Sequence, residues 1–200
     1  MKFSLLAVVL ASASTAQGEI SWKLEKAANP TTDQRDDSKI RQGEITWKLE
    51  KAANPTADQR DAYSRIEAVM KLAVARHARL GHAKKSLKVY YKPGVATAEA
   101  HYNGDVRFGS NRSYMTERTA LHEISHTLGV GQTPAFRSKC ASGNWTTALP
   151  LLRSWGKPDD KIECGGMHFW PYGLNYEEEW SESNANRHVQ IINAMLADGM

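Results

Sequence analysis

The chain has 200 residues, which is enough for one domain with a substantial core or for two small domains. Its 26 basic and 22 acidic residues are mixed along the sequence without a long basic run, so the charge pattern gives no support to nucleic-acid binding, despite an isoelectric point near 9. No stretch is long and apolar enough to span a bilayer, which argues against an integral membrane protein.

The N-terminus has the pattern of a secretory signal peptide. Lys2 precedes an apolar run that ends at Leu10, and small residues follow at Ser14 and Ala16. This pattern predicts a signal peptide over residues 1–16, cleavage after Ala16 and a secreted, extracellular protein.

Cys140 and Cys164 are the only two cysteines of the chain. In an exported protein such a pair is expected to be oxidised, so we predict a Cys140–Cys164 disulfide. Closing the loop between them would stabilise the fold by about 3 kcal/mol. A metal-binding role for the cysteines is the less favoured interpretation, because they lack CxxC spacing.

A near-perfect repeat follows the signal peptide. Residues 18–36 recur as residues 43–61 with only two differences. Two copies are too few for a solenoid, and only the second copy leads directly into a long predicted helix. We therefore expect residues 17–42 to be a poorly ordered duplicated segment and residues 43–200 to form the folded domain.

The first half of this domain alternates between strand and helix patterns. Alternating apolar residues predict a strand over 44–49, and apolar residues at helical spacing predict a helix from Thr56 to Leu80. A second strand is predicted over 86–94, followed by a hairpin with a type I′ turn at Asn103-Gly104.

The second half holds the segment with the strongest motif. A helix is predicted to begin after a cap at Ser113 or Thr116 and to stop at Gly129. The chain from there to Asn175 is rich in glycine and proline and is predicted to be mostly loop, and a last helix is predicted over 184–197. The elements together predict a single α+β domain in which a small sheet packs on the helices.

The motif "HEISH" places His122, Glu123 and His126 on the second helix. The two histidines lie one turn apart on the same face and can reach one metal ion, while Glu123 is turned about 100° away and can hold a water beside it. Zinc suits two imidazoles, one further ligand and one open position for water. The alternative is that two histidines share this spacing by chance.

The segment "HEISHTLG" resembles the metzincin metallopeptidase signature HExxHxxGxxH through its first eight positions. Gly129 matches the glycine of that signature, and the sequence departs from it at Gln132, where the signature has a third histidine. The chain from about Gly43 onwards is also similar to small secreted microbial zinc peptidases that pair an HEIxHTLG helix with an HFWPYGLNY segment. The resemblance implies a zincin-like fold, a Zn²⁺ cofactor, and endopeptidase activity on a protein or peptide substrate.

The third ligand is expected to be His168. It lies between two glycines and a group of aromatic residues, and the predicted disulfide would hold this loop near the end of the motif helix. Four alternatives remain open: Glu178, Glu179 and Glu182, as in gluzincins, and Gln132 through its amide oxygen. The other histidines have no partner at ligand spacing and are expected to be structural: His77, His82, His101 and His188.

Two tyrosines and one strand have roles only by analogy with zincins. Tyr172 or Tyr176 is expected to stabilise the oxyanion that forms during peptide hydrolysis, and Asp105–Phe108 is expected to be an edge strand that pairs with an extended peptide. The protein is expected to act as a monomer. The competing hypothesis is a secreted, non-catalytic binding protein on a zincin scaffold, which the missing histidine at position 132 favours.

Overall fold

The computed structural model describes residues 44–200, so the signal peptide and the duplicated segment over 17–42 lie outside the described residues. The described residues form one α+β domain, which confirms the predicted fold class. Its elements are β1 (Glu44–Glu50), α1 (Ala57–Leu80), β2 (Lys84–Tyr91), β3 (Ala98–Ala100), β4 (Asp105–Phe108), α2 (Glu117–Leu128), α3 (Pro134–Ser142), α4 (Ala148–Trp155), β5 (Glu163–Gly165), β6 (His168–Trp170) and α5 (Glu182–Ala197).

The main sheet has four strands in the order β1-β2-β4-β3. Strands β1, β2 and β4 are parallel to one another, whereas β3 runs antiparallel to β4. Alternate residues such as Ile45, Leu87 and Val106 are buried, because successive side chains of a strand point to opposite faces. The helices pack against the sheet, α1 contacting β1 and β2, and α2 contacting β3 and β4.

The hairpin of β3 and β4 differs from its prediction in two respects. The turn is centred on Tyr102-Asn103, since the amide of Gly104 donates to the carbonyl of His101. A type I′ turn at Asn103-Gly104 is wrong, because it requires positive φ at both residues and only Gly104 has it. The predicted edge strand Asp105–Phe108 is also wrong, since β4 lies between β2 and β3. The edge strands of the sheet are therefore β1 and β3, and β3 is the one next to β4.

The long helices follow the sequence pattern closely. Thr56 caps α1 in a capping box with Gln59, and Thr116 caps α2 by accepting from the amide of Thr119. Helix α2 ends at Gly129, whose φ of +133° is rarely accessible to other residues.

The segment after Gly129 contains more regular structure than its composition predicts. Helices α3 and α4 have nine and eight residues, which is too short for a clear periodic pattern. They are stabilised by tertiary contacts instead, since Phe136 of α3 packs on the buried Trp145 and Leu152 of α4 is buried. Helix α5 begins at Glu182, two residues before its prediction, because Ser181 caps it.

The predicted disulfide joins Cys140 of α3 to Cys164 of β5. It connects the short hairpin of β5 and β6 to the helix that follows α2. Within residues 44–200, no helix combines the length and the apolar character that crossing a membrane requires.

Candidate metal centre

Three histidines from two elements meet beside helix α2. His122 and His126 are one turn apart on α2, and their Nε2 atoms are 3.2 Å apart. His168, the first residue of β6, completes the cluster, so that one ring nitrogen of each histidine lies within 4.8 Å of the others. The three histidines are therefore close enough to bind one metal ion.

Hydrogen bonds to the backbone determine which nitrogen of each helix histidine faces the cluster. The Nδ1 atom of His122 lies 3.0 Å from the carbonyl oxygen of Gly173, and Nδ1 of His126 lies 2.9 Å from that of Val130. A carbonyl oxygen only accepts, so both Nδ1 atoms carry the hydrogen. In the neutral rings, both Nε2 atoms then present lone pairs to each other.

Burial keeps these imidazoles neutral. It lowers the pKa of His122 to about 3, with a further contribution from the nearby charge of His126. Burial also lowers the pKa of His126 and that of His168. At neutral pH the cluster therefore offers three neutral imidazoles, which is the form that binds metal ions.

Glu123 lies on the same helix between the two histidines. Its side chain is buried, with 5 % of the residue exposed, and its Oε2 atom has no hydrogen-bond partner within residues 44–200. The pKa of Glu123 is raised to about 8, mainly by burial and also by the charge of Glu99, while Arg118 acts in the opposite direction. A buried carboxylate without a partner is unfavourable unless a proton or a cation accompanies it.

A close backbone contact brings His168 to the end of helix α2. Gly131 has a φ of +69°, and a Cβ atom at this position would lie 2.3 Å from the carbonyl oxygen of Met167. Only glycine fits there without a shift of the chain, so Gly131 lets the residue before His168 pack directly on the segment that follows α2. The disulfide adds a covalent link between the same two regions.

The histidine cluster and Glu123 line a cavity of about 910 Å³. The edge strand β3 forms one side of this cavity, and the segment from Asn175 to Glu178 forms another. The volume of the cavity lies within the range of about 300–1,000 Å³ that is typical of ligand pockets.

Two of the alternative third ligands, Gln132 and Glu178, line the same cavity as the histidine cluster. The amide nitrogen of Gln132 donates to the carbonyl oxygen of Ala100 at 3.4 Å, and Glu178 lines the cavity without joining the cluster.

The remaining two glutamates have partners of their own. Glu179 accepts hydrogen bonds from Asn175, and Glu182 forms a salt bridge with Arg76. Of the histidine and glutamate candidates for the third ligand, only His168 has its donor atom beside His122 and His126.

The two tyrosines lie in different surroundings. Tyr176 lines the cavity and is 57 % exposed. The hydroxyl of Tyr172 accepts a hydrogen bond from Arg187 at 2.7 Å, and its ring packs on Trp155. Tyr172 is not among the described residues that line the cavity, so a role for it in the chemistry is not supported.

Sequence reasoning missed Arg118 and the carbonyl of Gly173. Arg118 lies one turn before His122 on α2, is almost completely buried and lines the cavity. Its position four residues before His122 places both on one helix face, which is the only signal the sequence carries. The contact of Gly173 with His122 has no sequence signal, because 51 residues separate them.

Comparison of the chain with protein-family models, with curated proteins and with solved structures finds no match. The zincin resemblance therefore depends on the HEISHTLG motif and the downstream HFWPYGLNY segment alone. The three-histidine cluster is a finding of the structure, whereas the metal that it takes and the reaction that it supports are matters for proposal.

Proposed function

We propose that this chain is a secreted zinc-dependent peptidase whose metal is held by His122, His126 and His168. The observation that carries the proposal is the pair of Nε2 lone pairs facing each other at 3.2 Å. Two lone pairs repel at this distance unless a cation or a proton lies between them. Since burial disfavours protonation of these rings, a metal cation is the better explanation.

The spacing of the two helix donors fits zinc, and the donor atom of His168 lies within 4.8 Å of them. In a tetrahedral site with Zn–N bonds of about 2.0–2.1 Å, two ligand nitrogens are separated by about 3.3 Å, which matches the 3.2 Å between His122 and His126. Three neutral imidazoles also leave one position open, and an open position distinguishes catalytic zinc sites from structural ones.

In this proposal, Glu123 and Tyr176 have separate roles in peptide hydrolysis. When bound, zinc supplies a Lewis acid that acidifies water and polarises a carbonyl oxygen. The cation would favour the charged form of Glu123 despite its burial. The Glu123 carboxylate takes a proton from the attacking water and returns it to the leaving amine. Tyr176 lines the cavity and would donate its hydroxyl hydrogen to the developing oxyanion.

The edge strand β3 is the proposed contact for the substrate backbone. Strand β3 pairs with β4 on one side, and its residues Ala98, Glu99 and Ala100 line the cavity. An edge strand has unpaired backbone donors and acceptors that an extended peptide can satisfy. A protein or peptide substrate is therefore the class that we propose.

Export belongs to the same proposal. The Cys140–Cys164 bond is consistent with an extracellular location, and residues 1–16 have the signal-peptide pattern.

The proposal is tested first by zinc stoichiometry. Native mass spectrometry of the purified protein should give one zinc per chain, lost in His168→Ala and kept in Gln132→Ala. Loss of zinc in Gln132→Ala alone would contradict the ligand assignment. A wild-type protein that binds no zinc after reloading at neutral pH would contradict the metal centre.

Activity is tested separately with Glu123→Gln. This variant preserves the shape of the side chain and should keep its zinc, while hydrolysis of a fluorogenic peptide library falls to the uncatalysed level. If the wild type cleaves no peptide in the library, the peptidase assignment fails and a binding protein on the same scaffold becomes the better description.

A further inference from the structure

Arg118 connects helix α2 to the loop that follows β6. Only 6 % of the residue is exposed. Its guanidinium donates to the carbonyl oxygens of Leu174 at 2.8 Å and Asn175 at 3.4 Å, and to the Glu177 carboxylate at 2.9 Å. The Arg118 side chain therefore binds three residues of a single loop.

The loop that Arg118 holds has an unusual backbone. Leu174 is completely buried with a φ of +56°, and Tyr172 has a φ of +68°. Residues other than glycine seldom adopt positive φ, and they keep it only where surrounding contacts impose it. The bond from Arg118 to the carbonyl of Leu174 is such a contact.

Two features of the candidate metal centre depend on this loop. The carbonyl of Gly173, directly before Leu174, accepts from Nδ1 of His122 and so orients that imidazole. Tyr176 lies between the Asn175 carbonyl and the Glu177 carboxylate, both of which bind Arg118. Moving the loop would therefore disturb both the ring of His122 and the position of Tyr176.

We propose that Arg118 is a positioning residue that holds His122 in its metal-binding orientation through the loop from Gly173 to Glu177. The inference rests on the metal centre proposed above but does not require peptidase activity. Mutating the hydrogen-bond partner of a metal ligand typically lowers metal affinity by about 10- to 100-fold. Arg118 acts one bond further away, through the carbonyl that is such a partner.

The test measures Co²⁺ affinity and the visible absorption spectrum of the cobalt-loaded protein. Arg118→Met should weaken Co²⁺ binding by about tenfold or more and change the spectrum, because the His122 ring is no longer held. Arg118→Lys should fall between Arg118→Met and the wild type, since an ammonium cannot reproduce the planar fork that reaches two carbonyls and a carboxylate. If Arg118→Met does not fold, the Co²⁺ affinity of Arg118→Lys relative to the wild type is the test of the positioning role.

Arg76→Met is the matched control. Arg76 is also buried, with 7 % of the residue exposed, and it pairs with the carboxylates of Glu117 and Glu182 away from the cavity. We expect a similar loss of thermal stability but an unchanged Co²⁺ affinity and spectrum.

Two results would overturn the inference. Equal Co²⁺ affinity in the wild type and the Arg118 variants would leave the metal centre standing and remove the positioning role. A wild type that binds no Co²⁺ would remove both. Cobalt binding that depends on Arg118 in a protein that cleaves no peptide would support the positioning role while the peptidase proposal fails.

Discussion

Helix α2 and the hairpin of β5 and β6 place histidines in the same cluster by different means. On α2, the helical repeat alone puts His122 and His126 one turn apart, and backbone carbonyls orient both rings. His168 lies on a three-residue strand, and its ring makes no hydrogen bond within residues 44–200. Its place depends on the disulfide and on the contact of Gly131 with Met167. The positions of His122 and His126 therefore follow from the local helix, whereas the position of His168 and the ring orientation of His122 follow from tertiary contacts.

The largest expected effect is the loss of zinc affinity when one of the three histidines is removed. His126→Ala removes half of the preorganised helix pair and should abolish zinc binding, whereas His168→Ala should leave only weak binding by His122 and His126, too weak to keep zinc through purification. Both losses should exceed the 10- to 100-fold loss typical of removing a ligand's hydrogen-bond partner. Isothermal titration with zinc measures both variants. Weaker binding in His168→Ala than in His126→Ala would contradict the ranking.

Removing the disulfide tests the covalent support of the hairpin. The double variant Cys140→Ser, Cys164→Ser should lose about 3 kcal/mol of stability, which corresponds to a fall in Tm of about 6–12 °C for a chain of this size. Calorimetry of the metal-free protein measures it. The zinc affinity of the same variant should fall as well, because His168 is less restrained. An unchanged Tm would show that the hairpin is held by packing alone.

Gly131→Ala tests the backbone contact behind His168. The substitution introduces both an unfavourable φ of +69° and a clash with Met167, and should cost about 1–3 kcal/mol. Gly143→Ala is the matched control, since Gly143 has a φ of +65° with nothing within 4 Å of the added Cβ. Urea unfolding of both variants separates the clash from the φ penalty. Equal losses would mean that the contact with Met167 contributes nothing.

The last prediction concerns the pH dependence of stability and His77, a buried histidine outside the cluster. Both of its ring nitrogens lack partners within residues 44–200, and burial lowers its pKa to about 3 from 6.5. Below pH 6.5 the unfolded chain binds a proton that the folded chain does not. Each unit of acidification towards pH 3 therefore lowers the free energy of unfolding by about 1.4 kcal/mol.

His77→Phe should reduce the slope of stability against pH between about pH 6 and pH 4 by about 1.4 kcal/mol per pH unit, while His122 and His188, whose pKa values burial also lowers, keep their own contributions. Urea midpoints of wild type and variant, measured without metal, compare the two slopes. Parallel slopes would show that His77 becomes protonated without unfolding. His77 is a useful comparison with the cluster, because it is buried, with 1 % of the residue exposed, and is not one of the three clustered histidines.

The features that could be predicted from the sequence are those that depend on local interactions, and the features that could not be predicted depend on tertiary contacts. The boundaries of α1 and α2 agree with their caps and periodicity, because helix formation depends on residues three and four apart. Helices α3 and α4 were not predicted, because elements this short are stabilised mainly by the surfaces on which they pack. The sequence pattern does not determine the order of the strands in the sheet. For this reason β4 was predicted as an edge strand, whereas the structure has β3 at that edge.

The sequence by itself determined the spacing of His122, Glu123 and His126, the cap and stop of their helix, and the identity of the cysteine pair. These features are local, or follow from a choice among very few residues. Tertiary structure alone decided that His168 joins the cluster and that Tyr172 faces Arg187 instead of the cavity. It also decided that Arg118 holds the loop beside His122. Such contacts join residues more than ten positions apart, and only the packing of the whole domain determines which of them form.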